Sequence, residues 1–492
     1  MDMSGHSVTE QTKQPKTCLI SSLYLLCTVL GIRILTLGFY PLYDPSESRY
    51  AEMARKMLET ANWITPMVDY GVPFWGKPPL TIWMSSSTLW LGGVNEFSVR
   101  LPSFLFSLGM IWIIFYLAKV QYGLGKAGSS VIILASSVLF FVMAGTVAMD
   151  VGMSFGITLA FASFWLALRK GESCWGYLFF IGLSIGLMAK GPITVVLCGI
   201  GIGLWTAISG EWLRVWNNVP WIKGTLLMLV ITAPWYLIAE QRTPGFLEYF
   251  IVGEHWKRFT ESGWKGDLYG KGHAKPHGMI WLYWLAATFP WSLVFLKKVV
   301  SAFLNKKSGE LLQSDESWRL YCLLWMLAPL LFFTLSANII WTYVLPGIPG
   351  FALLLADWQK PVKFKAVLAL CTPVLFLALV IAYHIPNVDF FMSQKSLVQI
   401  YQQASRPGEQ LIYIIDRPYS AQFYLQGKVL EITELSSLQD HLNKSNHDFY
   451  AIRNDRLVIL PEDMKLRFDL IKRFSSFSLF HAKDIGNAVI KP

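Results

Sequence analysis

SSVIILASSVLFFVMAGTVAMDVGMSFGITLAFASFWLAL spans residues 129–168 and holds one charged residue, Asp150. A helix needs roughly 20 mostly apolar residues to cross a bilayer. This stretch is long enough to cross twice, with AMDVGM as the turn. Similar runs recur on both sides. The candidate spans are 17–37, 98–119, 129–147, 152–168, 175–189, 192–209, 222–239, 279–296, 319–336, 341–357 and 364–384. The chain therefore reads as mainly α, a polytopic transmembrane helical protein with about eleven spans and thirteen at most. The first run is too long for a cleaved signal peptide, and no small-residue cleavage site follows it.

Composition agrees. Of the 492 residues, 54% are hydrophobic and 15% charged, against roughly 45–50% and about 25% in soluble domains. Disorder is excluded by the same excess. The 21 Trp suit membrane–water boundaries, where one edge of the indole is wet. Lys and Arg outnumber Asp and Glu, 42 to 32. In a membrane protein this excess belongs to cytoplasmic loops and an anionic leaflet, so no nucleic-acid partner is read from it. The six Cys show no paired spacing, which argues against a disulfide framework or a cysteine metal site. Gly123-x-Gly125-x-x-Gly128 fits a dinucleotide pattern but sits in a short turn between spans, without the strand such a site requires.

Charge also orients the chain. With the N-terminus inside, alternation puts Lys119, Lys126, Arg169, Lys170, Arg214, Lys223, Lys297, Lys298, Lys306, Lys307, Lys360, Lys363 and Lys365 on the cytoplasmic side. The turns near 148–151 and 337–340 carry no Lys or Arg, as the positive-inside rule requires for the opposite face. Loops 38–97 and 240–278, and the tail from about 385, then face outward. Residues 1–384 form the membrane domain. Residues 385–492 read as a small extramembrane α/β domain, with strands near 411–416, 428–433, 448–453 and 456–460 and a helix over 461–474.

The first outer loop carries most of the chemistry. In YPLYDPSESRYAEMARKMLETANWITPMVDYGVPFWGKPPL (40–80), Asp44, Glu47, Arg49 and Tyr50 fall close together after a span. From Ser48 the spacing predicts an amphipathic helix with Tyr50, Met53, Met57 and Leu58 on one face, able to lie on the membrane surface. Asp44 and Glu47 then serve either as helix caps or as acids and bases. Lys77, stiffened by Pro78 and Pro79, either holds a phosphate or snorkels to the interface. Asp150, Lys190, Glu254, His255, Arg258, Asn338 and Tyr343 sit at outer ends of spans or in the second loop. Singly each reads as an interfacial anchor. Together they gather acids and bases at the depth of a headgroup, not along a path across the bilayer. His255, His273 and His277 lack metal-site spacing and read as hydrogen-bonding loop residues.

The segments PSESRYAEMARKML (45–58), NWITP (62–66), KPPL (77–80), VRLPS (99–103), AGTVAMD (144–150), MAKG (188–191), GEHWKRF (253–259) and FPW (289–291) carry a resemblance. The chain resembles the bacterial polyprenyl-phosphate-dependent GT-C glycosyltransferases: the lipid A aminoarabinose transferases and, more distantly, the protein O-mannosyltransferases. It covers roughly residues 20–360. The resemblance implies transfer of a sugar from a lipid phosphate carrier, such as undecaprenyl phosphate, with inversion, on the periplasmic face of the inner membrane. The acceptor would be lipid A, another envelope glycan or a protein hydroxyl. It makes Asp44, Glu47 and Asp150 the catalytic candidates. Arg49, Tyr50, Lys77, Lys190 and Arg258 become the candidates for the donor phosphate, with Glu254, His255, Asn338 and Tyr343 around them. Asp44 is the first choice to orient or deprotonate the acceptor, with Glu47 as its partner. No cofactor is certain, and a divalent metal ion stays open. The chain departs from the aminoarabinose enzymes at Ser46, where they have Asp, at Gly76, where they have Glu, and at ANIIW (337–341), where they have a lysine-rich turn. Those departures make lipid A and aminoarabinose poor specific choices. The competing class is a transporter or flippase of lipid-linked sugars.

Overall fold

The computed structural model describes residues 8–270, 272–304, 316–358, 365–385, 392–444 and 447–483. Helices Glu96–Tyr122, Met149–Lys170, Trp221–Arg242, Glu316–Thr334 and Lys365–Tyr383 are long and apolar enough to cross a membrane. Ser21–Thr36, Leu124–Ser136, Ser173–Ala189 and Ile193–Ser209 are apolar but shorter. Every expected span coincides with helix, yet a count of eleven is not reached, because several runs are broken. Residues 129–147 divide into Leu124–Ser136 and Val138–Met143, separated by extended backbone at Ser137. Residues 279–296 divide into Met279–Ala287 and Trp291–Leu304, bent by 113°. Pro290 stands at that bend, and proline cannot donate to the helix ladder. The last break is a change of helix type, where the 3₁₀ turn Trp341–Gly347 runs into Ile348–Trp358.

Met149–Lys170 is the most buried of the long apolar helices, whereas Trp221–Arg242 and Lys365–Tyr383 leave most of their apolar surface exposed, as lipid-facing helices would. Glycine allows it to seat against Ser173–Ala189. A Cβ on Gly156 would lie 2.6 Å from the Gly182 carbonyl oxygen and 2.7 Å from the Gly186 nitrogen. Small residues at such crossings let backbones approach in a solvent that gives no hydrophobic drive between helices. The tryptophans divide between two settings. Trp90, Trp112 and Trp256 are exposed, as the boundary reading expects, whereas Trp205, Trp291, Trp318 and Trp325 are fully buried. Burial is tolerated because the indole N–H groups are satisfied. Those of Trp205, Trp291 and Trp325 donate at 2.9 Å to Ser317 O, Ser136 Oγ and Pro346 O, and Trp318 donates to Tyr122.

The expected amphipathic helix forms over Ser46–Thr60, but protein covers much of its surface. Met53 and Met57 are buried, and so are the charged Glu52, Arg55 and Lys56 of its other side. The C-terminal region covers that side: Lys56 Nζ donates to Gln422 Oε1 at 3.0 Å. The helix also has no side-chain cap, so the capping role for Asp44 and Glu47 is not seen.

Two strands, β1 (Met67–Asp69) and β2 (Val72–Pro73), form a small hairpin after this helix. The C-terminal sheet contains β3 (Leu411–Ile414), β4 (Leu430–Ile432), β5 (Phe449–Arg453), β6 (Phe468–Arg473) and β7 (Phe477–Ala482), in the order β4-β3-β5-β7-β6. The first three are parallel, and β7 pairs antiparallel with β5 and β6. Two expectations are corrected here. RLVIL forms a 3₁₀ turn, Asn454–Ile459, and not a strand. The helix expected over 461–474 stops after Glu462–Lys465 and gives way to β6. Pro461 and two acids do start a helix turn, but main-chain pairing with β7 outweighs local propensity beyond it.

Candidate active site

Three segments distant in sequence meet at one end of the helical bundle. The first is Lys77, just before helix Leu80–Gly92. The second is the helix end carrying Lys190. The third is the π-helix Glu248–Lys257, which holds Glu254 and His255 and runs into Arg258. π-Helical turns occur often at functional sites, because the wider turn re-aims side chains.

Glu254 is the hub. Its carboxylate lies 2.6 Å from Lys77 Nζ and 3.0 Å from Arg258 Nη1, and Arg258 also reaches Asp267 at 3.3 Å. Tyr249 donates its hydroxyl to Glu254 at 3.3 Å. Burial alone would raise the Glu254 carboxyl, but the charges of Lys77 and Arg258 prevail and hold it at about 2. It stays ionised and pins both cations. Burial pushes His255 down to about 4, so its ring is neutral near pH 7. Its Nδ1 lies 2.7 Å from the Phe250 carbonyl; a carbonyl only accepts, so Nδ1 carries the proton and Nε2 keeps its lone pair.

Lys190 Nζ lies 2.5 Å from Asp150 Oδ1, in the first turn of Met149–Lys170, and 4.5 Å from the centre of the Tyr343 ring. Gly191 follows at φ +109°, and a Cβ there would meet Phe250 at 2.6 Å. Only glycine fits both constraints. Asn338 serves the loop backbone: its amide donates at 2.7 Å to the carbonyls of Arg258 and Glu261, and its oxygen accepts from Gly263 N at 3.1 Å.

These residues surround a cavity of about 370 Å³. Lys77, Lys190, Glu254, His255, Arg258, Asn338 and Tyr343 line it, so it presents three cations against one carboxylate. Apart from Ser336, its remaining wall is apolar and includes Ile193, Val196, Ile251, Phe332 and Phe333. A cationic end joined to an apolar wall matches an anion on a hydrocarbon chain.

Five of the sequence candidates do not line this cavity: Asp150, which holds Lys190, and Asp44, Glu47, Arg49 and Tyr50. Glu47 is tied to Arg100 by bonds of 2.8 and 2.9 Å and also accepts from Tyr43 N at 3.0 Å. Arg100 in turn donates to the carbonyls of Leu37, Tyr40 and Pro41. The expected Asp44–Glu47 partnership is therefore not formed. Asp44 instead accepts from the hydroxyls of Ser48 and Ser420. It faces a separate cleft of about 550 Å³ shared with Arg417 and Tyr419. Burial raises its carboxyl to about 6, against those serine hydrogen bonds. Arg49 donates to the Tyr269 carbonyl, and Tyr50 packs edge-on to Phe74 at 6.2 Å. Among the described residues, no three His, Cys, Asp or Glu side chains gather to hold a metal ion.

The sequence reading missed Arg100, Asp267, Tyr269 and Ser420. Arg100 did leave a signal, since an arginine inside FSVRLPSFLF needs a buried partner. The others leave none, being ordinary loop residues.

The arrangement is that of a polytopic helical protein whose long apolar helices suit a membrane. Residues 20–250 match the family model for dolichyl-phosphate-mannose-protein mannosyltransferase. The undecaprenyl phosphate-alpha-4-amino-4-deoxy-L-arabinose arabinosyl transferase of Enterobacter sp. (strain 638) is 29% identical over 351 residues, covering 68% of this chain and 59% of that protein. The Serratia proteamaculans enzyme of the same name is 29% identical, covering 72% and 64%. The chain thus spans about three fifths of the length of these relatives. The crystal structure of ArnT from Cupriavidus metallidurans bound to undecaprenyl phosphate superposes with a TM-score of 0.75 at 17% identity, covering 93% of this chain and 97% of that one. The chain is thus similar in sequence to these transferases over part of its length, and it shares the fold of that crystal structure.

Proposed function

We propose that the protein transfers a sugar from a polyprenyl-phosphate carrier to a hydroxyl of an envelope acceptor. The carrying observation is the cavity in which Lys77, Lys190 and Arg258 stand beside an apolar wall. Cations suit the phosphate and the apolar wall suits the prenyl chain. The relatives' names, which specify an undecaprenyl-phosphate donor, support the same reading. The candidate acceptors are lipid A, another envelope glycan or a protein hydroxyl, the last being the acceptor class in the family model's description.

In this reaction the acceptor hydroxyl gives its proton to a carboxylate as its oxygen bonds to the anomeric carbon. The bond from that carbon to the phosphate oxygen breaks, and the electron pair leaves with the lipid phosphate. The cations stabilise the charge that develops there, in a site that needs no reorganisation. Glu254 is too acidic to take a proton. Asp44, raised to about 6, has the strength of a general base near neutral pH. One displacement inverts the anomeric centre. We place the site on the periplasmic face of the inner membrane, from the positive-inside argument. Residues 1–384 would be the transferase domain and 385–492 an outer domain. The test is a mass-spectrometric comparison of lipid A, other glycolipids and periplasmic proteins from cells with and without the gene. Loss of one sugar-sized mass from one fraction is expected. No loss from any fraction, with the gene expressed, would turn the reading to transport of lipid-linked sugars.

A further inference from the structure

The proposed chemistry leaves one cavity without a role. It measures about 560 Å³, within the roughly 300–1,000 Å³ typical of ligand sites. It opens between the β1–β2 hairpin, the second long loop and the C-terminal sheet. Its lining includes three aromatic residues, Trp75, Tyr269 and Tyr419, and three charged ones, Asp69, Arg417 and Glu431. We propose that this cleft seats the acceptor as a neutral, polyhydroxylated sugar ring, so that the acceptor is a glycan. The proposal rests on the transferase reading.

Charge favours a neutral ligand. Arg417 lies 2.5 Å from Asp69 and 3.5 Å from Glu431. The cation of this lining is thus shared between two carboxylates, and the buried Lys56, 3.3 Å from Asp69, balances the second, so an arriving phosphate would find no cation left to pair with it. Hydroxyls fit better, since each donates to a carboxylate and accepts from a guanidinium. The rings supply the complementary surface. An aromatic side chain is apolar on its face and carries a polar handle at its edge, which matches the C–H face and hydroxyl rim of a sugar.

Position supports it too. Arg417 and Tyr419 also line the cleft that holds Asp44. On the opposite side, the Tyr249 ring lies 6.1 Å from Trp75 and 5.9 Å from Tyr269, and its hydroxyl donates to Glu254. The cleft therefore touches both the Asp44 group and the wall of the cationic cavity.

The test uses the full-length protein. Wild type, Tyr419→Ala and Glu431→Gln are returned to cells lacking the gene, and sugar-bearing product is measured in the neutral-glycan, lipid A and protein fractions. The purified proteins are also tested for binding of undecaprenyl phosphate by native mass spectrometry. Product is expected in the neutral-glycan fraction. In Tyr419→Ala it should fall about tenfold or more, the scale of an aromatic anchor in a binding site, with lipid-phosphate binding within about twofold of wild type. If Tyr419→Ala loses lipid-phosphate binding as well, Glu431→Gln, which keeps the volume, decides by the same criteria. Product on lipid A or on protein, or undiminished product in a variant that still binds the lipid phosphate, overturns the proposal. Wild type that fails to bind undecaprenyl phosphate defeats the transferase reading itself, by a separate readout.

Discussion

The cavity around Lys77 and the cleft around Arg417 differ in kind, although Tyr249 touches the walls of both. The first has three cations and one carboxylate beside an apolar wall. The second has one cation and two carboxylates beside aromatic rings. The first is built from helix ends and the π-helix. The second exists because the C-terminal sheet packs on the outer loop. Each chemistry follows its architecture: helix ends fix point charges firmly, whereas a seam between two layers offers broad faces. A transferase needs both, a grip on the phosphate that leaves and a seat for the hydroxyl that arrives.

The sharpest way to break this division is Asp44→Asn. Asp44 stands on the cleft side, so turnover should fall by ~10²–10⁴, the range for losing a general base, while undecaprenyl phosphate binding stays near wild type. Normal turnover would remove Asp44 from the mechanism.

On the cavity side, Lys190→Ala should weaken undecaprenyl phosphate binding about tenfold or more, since a hydrogen bond to a charged group contributes ~1.5–3 kcal/mol. Unchanged affinity in a lipid-binding titration would reduce Lys190 to a structural partner of Asp150.

Outside both regions lies the buried Glu47–Arg100 pair, which lines neither. Arg100→Ala strands a buried carboxylate and should cost ~3–5 kcal/mol, seen as a lowered melting temperature in detergent. A melting temperature equal to wild type would show that Glu47 finds another partner.

pH separates the regions with a smaller effect. Asp44 is raised to about 6, so the ionised base is lost as pH falls below that value. Transfer should then decline about tenfold per unit, and a profile flat down to pH 5 would discard Asp44 as the base. Stability moves the other way. The folded state binds the Asp44 proton more tightly than the unfolded chain, whose ordinary value is 3.8, so this group's contribution becomes less favourable as pH rises from about 4 to 6. Glu254, held at about 2 against an ordinary 4.5, stays ionised in the folded protein there and acts in the opposite sense, its stabilisation being lost as pH falls from about 4.5 towards 2.

Apolar runs made the helical membrane class legible, because bilayer thickness imposes a length and a composition that need no tertiary knowledge. The motif-bearing residues Lys77, Lys190, Glu254, His255, Arg258, Asn338 and Tyr343 were all singled out in sequence, and the structure gathers them around one cavity. Their roles were not legible. Asn338 turned out to hold the loop, and Glu254 to pin two cations, because hydrogen-bond partners depend on which segments meet. The first outer loop was the least readable. Its periodicity specified the helix and the buried Met53 and Met57, but nothing local announces that Gln422, hundreds of residues later, covers the charged side.

The chain's sequence determined that it lives in a membrane, where its helices begin, and that cations and carboxylates collect at their ends, because each of these follows from local composition. Tertiary structure alone decided that Glu47 belongs to Arg100, that Asp44 faces the C-terminal domain, and that Tyr269 and Tyr419 face one cleft. Those pairings join residues tens to hundreds of positions apart, and only the packing of layers chooses between them.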